Sequence, residues 1–184
     1  MELKLVRGYN RIVAAEQTKV PMSEELAQEL NTSLSPIYIG VDCSSRAIHI
    51  TCVDAEERIV GRAKWASKHD DFDERFRQIG LGFEAFVKSL TTKPTVAVES
   101  AIFIQNPKST IEIATVVAAV RLGCALNEVT CIPVDNRHWK KIVIGRGNLN
   151  KQGITEYTVA KWGDILPEQD WRDAACIALW IKRR

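Results

Sequence analysis

The chain is poor in the residues that build the commoner metal and staple sites. It has only 5 cysteines and 3 histidines in 184 residues. Cys43, Cys52, Cys124, Cys131 and Cys176 are scattered, odd in number and form no Cys-x-x-Cys pair. A disulfide framework and a cysteine–histidine zinc site are thereby excluded, and the thiols read as reduced and mostly buried in a cytosolic protein. No uninterrupted apolar run approaches the ~18 residues of a membrane span, so no membrane partner is expected. The first residues have no apolar stretch behind their basic side chains, so no secretory signal is read. Repeats and low-complexity tracts are also missing. The net charge is only +2 at pH 7, too little by itself to announce a nucleic-acid partner. What remains, 46% hydrophobic and 26% charged residues, is a globular composition of a length that suits one domain with an appendage.

The positive charge that exists is concentrated. Residues 134–151 carry Arg137, Lys140, Lys141, Arg146 and Lys151 against Asp135 alone, so the rest of the chain is net acidic. A local basic segment is how an electrostatic footprint looks.

Residues 1–36 read as an N-terminal extension, with Ser23 capping a short helix over 24–30 and a loop that ends at Pro36. The main domain, 37–184, opens with three strands, at 37–41, 47–54 and 59–65, joined by tight turns as an antiparallel meander. Phe72, Phe76, Ile79, Phe83, Phe86 and Leu90 recur at helical spacing. A strand follows at 95–98, an apolar helix at 109–126 and a strand at 129–134. Short helical patterns come last: 137–142, a helix from the cap Asn150 to Trp162 that Gly163 stops, and one from Pro167 through Ile181. This order predicts an α/β fold, a mixed five-stranded sheet flanked by helices.

Two of the buried strands end in an acid, at Asp42 and Glu99. As parallel neighbours they would present both carboxylates at one sheet edge. Asp170 and Asp173, at i and i+3 of the last helix, share a helix face, and Ala174 and Ile177 extend that face toward the sheet. Four converging carboxylates repel one another and would take up protons unless cations offset them. An all-oxygen cluster selects Mg²⁺ or Mn²⁺, and two such ions would clamp the attacking and leaving oxygens of a phosphodiester. Taken singly, a strand-end acid is usually a turn residue, and an Asp-x-x-Asp pair at a helix start is usually solvated. What lifts the reading is the combination with a basic segment whose glycines, Gly145 and Gly147, free the backbone beside Lys140, Lys141, Arg146 and Lys151.

Four segments together resemble the RuvC family of Holliday junction resolvases, in the ribonuclease H-like superfamily. They are Ile39-Gly40-Val41-Asp42, then Val96-Ala97-Val98-Glu99 with Asn106 beyond it, then Lys140 with Gly145-Arg146-Gly147 and Lys151, and last Asp170-Trp171-Arg172-Asp173-Ala174-Ala175. They stand in family order across 37–184, which the resemblance makes a RuvC-like nuclease domain. The resemblance implies a homodimer that binds four-way junction DNA and nicks opposed strands symmetrically by two-metal-ion phosphodiester hydrolysis. Asp42, Glu99, Asp170 and Asp173 would hold two Mg²⁺ ions, with Mn²⁺ as a substitute. Lys140 and Lys151 match family lysines near the scissile phosphate. Lys108, Lys141 and Arg146, with Gly145 and Gly147, would meet flanking DNA. The junction wedge would be Ile102 or Phe103, near Asn106, and the helix 109–126 would form much of the dimer interface.

The chain departs from the family in three ways. An isoleucine stands where the wedge aromatic is usual. Trp171 lies inside the Asp-x-x-Asp and is read as packing. No histidine accompanies the last acids, and His49 is read as a structural strand residue. The extension suggests a diverged lineage, viral for example, acting in the cytoplasm of a bacterium or an infected host alongside branch-migration or replication proteins. Three other readings compete: a broader branched-DNA or RNA nuclease of the YqgF type, a silent junction-binding module, and a sugar-kinase-like ATPase suggested by Gly40-Val41-Asp42-Cys43-Ser44-Ser45. A second phosphate loop is missing for the last of these.

Overall fold

Period-two alternation in the central strands sorts the side chains between two helical layers. A computed structural model of the chain describes residues 12–16, 23–101 and 106–184. In chain order the elements are β1 (Ile12–Glu16), α1 (Ser23–Thr32), β2 (Tyr38–Cys43), β3 (Ala47–Val53), β4 (Ile59–Ala66), α2 (Phe72–Ser89), β5 (Thr95–Glu99), α3 (Pro107–Leu126), β6 (Cys131–Val134), α4 (Asn136–Ile144), α5 (Lys151–Trp162) and α6 (Gln169–Lys182).

The strands form one mixed sheet in the order β1-β4-β3-β2-β5-β6. The meander β2-β3-β4 is antiparallel, while β2-β5, β5-β6 and β1-β4 pair in parallel. The five expected strands are all present. The extension adds a sixth, β1, along the outer edge of β4. Ile39, Val41, Ile48, Ile50, Val96 and Val98 face a core shared with α1, α2 and α3. Leu26, Ala27 and Leu30 of α1 belong to that core, so this helix of the extension is packed into the main domain. The alternate residues face α4, α5 and α6, where Ala97, Trp139, Ile154, Trp171 and Ile177 form the second core.

Local chemistry sets the helix starts. The side chains of Asp71, Asn106, Asp135 and Asn150 accept backbone N–H bonds at the N-termini of α2, α3, α4 and α5, each satisfying a donor the helix leaves open. Asn106 thus caps α3, and α4 runs past the expected 137–142 to Ile144, carrying Lys140 and Lys141. One glycine positions α6. A Cβ on Gly40 would lie 1.9 Å from the carbonyl oxygen of Ala174 and 2.4 Å from the amide nitrogen of Ala178, so α6 rests directly on the backbone of β2.

By length and composition α3 is apolar enough to cross a membrane, and only 28% of its apolar stretch is buried. Scattered polar residues hid this from a reading of uninterrupted runs. Val116, Val117, Val120 and Cys124 pack inward, while Ile111, Leu122 and Leu126 stand in solvent.

Candidate active site at the carboxyl ends of two parallel strands

Val41 lies beside Val98 in the β2–β5 register, so the next residues, Asp42 and Glu99, leave the sheet together. Their parity with Gly40 and Ala97 turns both toward α6. Asp170 and Asp173 occupy the first turn and a half of that helix. Burial pushes the Asp42 carboxyl well above its ordinary value, and the charges of Asp173, Glu99 and Asp170 push it further in the same direction. All four acids expected from the sequence therefore share one electrostatic environment at one sheet edge.

Each acid has its own support. Glu99 accepts two bonds from α4, from Asn136 Nδ2 at 2.8 Å and from the Trp139 indole N–H at 2.7 Å. Asp173 accepts from Gln169 Nε2 at 2.9 Å, and Thr155 of α5 donates to Gln169 Oε1 at 3.1 Å. Asp173 is pushed up to about 6, mainly by burial, with Glu99 and Asp170 adding to the rise and Gln169 and Lys140 opposing it. Asp170 Oδ2 lies 3.6 Å from Nδ1 of His49. His49 is buried on β3 at the position opposite Asp42. Its Nε2 is 3.3 Å from Glu168 Oε2, which also accepts from Lys64 Nζ at 2.9 Å.

The donor set tests the fit of a metal. Among the described residues no three His, Cys, Asp or Glu side chains are gathered closely enough to hold an ion as they stand, because Glu99 is drawn to α4, Asp173 to Gln169 and Asp170 toward His49. The chemistry of the four acids nevertheless suits a hard divalent cation: they offer only oxygen, and the mutual repulsion of half-buried carboxylates is what a cation relieves. Asn136, Trp139 and Gln169 are neutral donors, which orient a carboxylate without cancelling its charge.

Of the cations expected from the sequence, one is tied to this edge by its effect on an acid. Lys140 on α4 is near enough to lower Asp173. Lys141, Arg146 and Lys151 are exposed on α4, on the α4–α5 loop and at the first position of α5, and Lys108 is exposed at the start of α3. Gly145 ends α4 in the left-handed region (φ 92°), and a Cβ on Gly147 would meet the carbonyl oxygen of Arg137 at 2.9 Å. Both glycines thus have structural work in returning the chain along α4. Ile102 and Phe103, the wedge candidates, lie outside the described residues. Trp171 packs as expected, 3% exposed. His49 lies buried within a strand, as read, and it also borders the site beside Asp170. Sequence reasoning also missed Asn136, Trp139, Glu168, Lys64 and Gln169. Only Asn136 and Trp139 left a signal, their i, i+3 spacing behind the cap Asp135.

The chain is an α/β protein with a ribonuclease H-like fold and carboxylates at the ends of two central parallel strands. No family model and no curated protein matches the chain. Solved structures do. Thermus thermophilus RuvC superposes with a TM-score of 0.65 at 15% identity, covering 78% of this chain and 92% of that one. The same protein in complex with Holliday junction substrate gives 0.67 at 16%, covering 79% and 92%. The yeast mitochondrial Holliday junction resolvase gives 0.54 at 10%, covering 86% and 83%. The chain has a RuvC-like resolvase fold.

Proposed function

We propose that the protein is a metal-dependent DNA endonuclease that nicks four-way junctions. The observation that carries the reading is the meeting of Asp42, Glu99, Asp170 and Asp173 at one sheet edge, in a fold shared with a resolvase solved on Holliday junction substrate. Those four acids would hold Mg²⁺, or Mn²⁺ in its place. Bound there, the ions supply Lewis-acid stabilisation of the phosphodiester and a water acidic enough to attack near neutral pH. The chain's own residues do the rest. Asn136 and Trp139 orient Glu99, and Gln169 orients Asp173. Lys140 brings positive charge to the edge where the phosphate would lie, offsetting charge that grows in the transition state. Lys108, Lys141 and Arg146 would bind flanking phosphates, and Lys151 would stand with Lys140 near the scissile one. Binding through these cations should weaken steeply with salt, at a slope of about −0.9 per phosphate neutralised. Two copies joined through the exposed face of α3 would present two such edges to opposed strands.

The test is strand-resolved cleavage of labelled synthetic junctions in Mg²⁺, beside flap, duplex and RNA-hybrid controls. The expected outcome is paired nicks confined to the junction. Asp42→Asn and Glu99→Gln should bind junctions as the parent does and fail to cut. Full cleavage by both variants would refute the site. Equal cutting of flap, duplex and junction would make the protein a general nuclease.

A further inference from the structure

We propose that His49, Glu168 and Lys64 form a strut that holds the first turn of α6 against the sheet and so positions Asp170; the proposal rests on the active-site reading above. Register places the parts. His49 on β3 pairs with Asp42 on β2, and Lys64 on β4 pairs with His49. Residues opposite one another on antiparallel strands point to the same face, so Asp42, His49 and Lys64 stand in one row beneath the start of α6. The row is bonded to that start. Lys64 Nζ reaches Glu168 Oε2 at 2.9 Å, His49 Nε2 meets the same oxygen at 3.3 Å, and His49 Nδ1 faces Asp170 Oδ2 at 3.6 Å. Trp171 closes the contact. Its carbonyl accepts from Thr51 Oγ1 at 3.1 Å, its ring meets the His49 ring edge-on at 5.8 Å, and the Arg62 guanidinium stacks on it at 4.4 Å.

Glu168 supplies an independent sign. It occupies the N-cap of α6, yet its side chain makes no cap bond. The N-cap side chains of α2, α3, α4 and α5 each bond their own helix. The Glu168 carboxylate is instead committed to β3 and β4, so α6 forgoes local capping in exchange for a fixed place on the sheet. The Asp170 side chain is 43% exposed, with room to swing toward solvent. His49, with a 3% exposed side chain, is the wall it would swing away from. Partners of this kind behind a ligating carboxylate typically change metal affinity 10–100-fold when removed.

Three measurements on the full chain test the strut. Calorimetric titration with MnCl₂, without DNA, should show His49→Ala binding at least ~10-fold more weakly than the parent. His49→Gln, which keeps a polar group facing Glu168, should recover part of the loss. Junction cleavage by His49→Ala should fall in kcat with KM unchanged. In the metal-free protein, the His49 ring nitrogens followed by ¹⁵N NMR should shift on Glu168→Gln and on Asp170→Asn. A His49→Ala protein that binds Mn²⁺ like the parent overturns the strut, whether or not its urea midpoint falls. So does an unchanged His49 signal in Asp170→Asn, and that readout holds even if the parent binds no metal, the result that would sink the nuclease reading instead.

Discussion

At the scale of single residues, the site depends on neutral donors as much as on its acids. Trp139 is fully buried and spends its only N–H on Glu99. Trp139→Phe keeps most of the packing and loses that bond. Junction cleavage should fall ~10–100-fold, as for other residues that orient a ligating side chain. The urea midpoint should report a stability loss of about 2 kcal/mol, for a charge-assisted bond and a small void. The strand-end acids were legible only in combination, because a single acid that closes a strand is usually a turn residue and it took two such strands beside a basic segment to suggest more. Asp170 and Asp173 were legible from helical spacing. Trp139 and His49 were not. An indole on a short helix reads as core, and a histidine in a strand reads as a satisfied interior residue, until a register joins them to groups 40 and 119 positions away.

At the scale of elements, the end of the sheet opposite the site is fastened by a single turn. Glu57 sits in the left-handed region (φ 62°) between β3 and β4. Its carboxylate accepts from Lys161, Lys182 and Arg183, while its carbonyl accepts from the Trp162 indole at 2.8 Å. The Arg183 hydrogen bonds, aided by Lys161 and Lys182, hold the Glu57 carboxyl far below its ordinary value despite the opposing effect of burial. A carboxyl depressed in the folded state contributes its full stabilisation above the unfolded value of about 4.5 and loses it progressively as pH falls from there toward its far lower folded value. Glu57→Gln should cost about 2 kcal/mol near neutral pH, and the gap between variant and parent in urea melts should begin to narrow below about pH 4 and shrink steadily with further acidification. The turn at residues 54–58 was legible from its residue types. Its three basic partners were not, because two helices remote in sequence supply them. The helix boundaries fared better where caps were explicit: Asn150 and Gly163 bracket α5, whereas β1 left no trace because Ile-Val-Ala-Ala-Glu has neither alternation nor a flanking turn signal.

At the scale of the whole molecule, α3 presents Ile111, Leu122 and Leu126 at 66%, 59% and 68% exposure. Three large aliphatic side chains on one exposed helix suit a second copy better than water. Light scattering should show a dimer for the parent and a monomer for the Ile111→Glu, Leu122→Glu double variant. The monomer should retain its fold, since neither residue belongs to a core, and should nick one strand without the coordinated second cut. A parent that is monomeric at micromolar concentration would refute the assembly.

The placement of β1 has a bearing on how the protein survives in solution. A parallel strand over residues 12–16 covers the outer rim of β4, whose unsatisfied amides and carbonyls would otherwise be a template for pairing with another molecule. Stripped of this guard, β4 would invite intermolecular strand addition, and the protein would be lost to aggregation with its acidic edge intact. On this account residues 12–16 guard the sheet rather than complete the acidic edge.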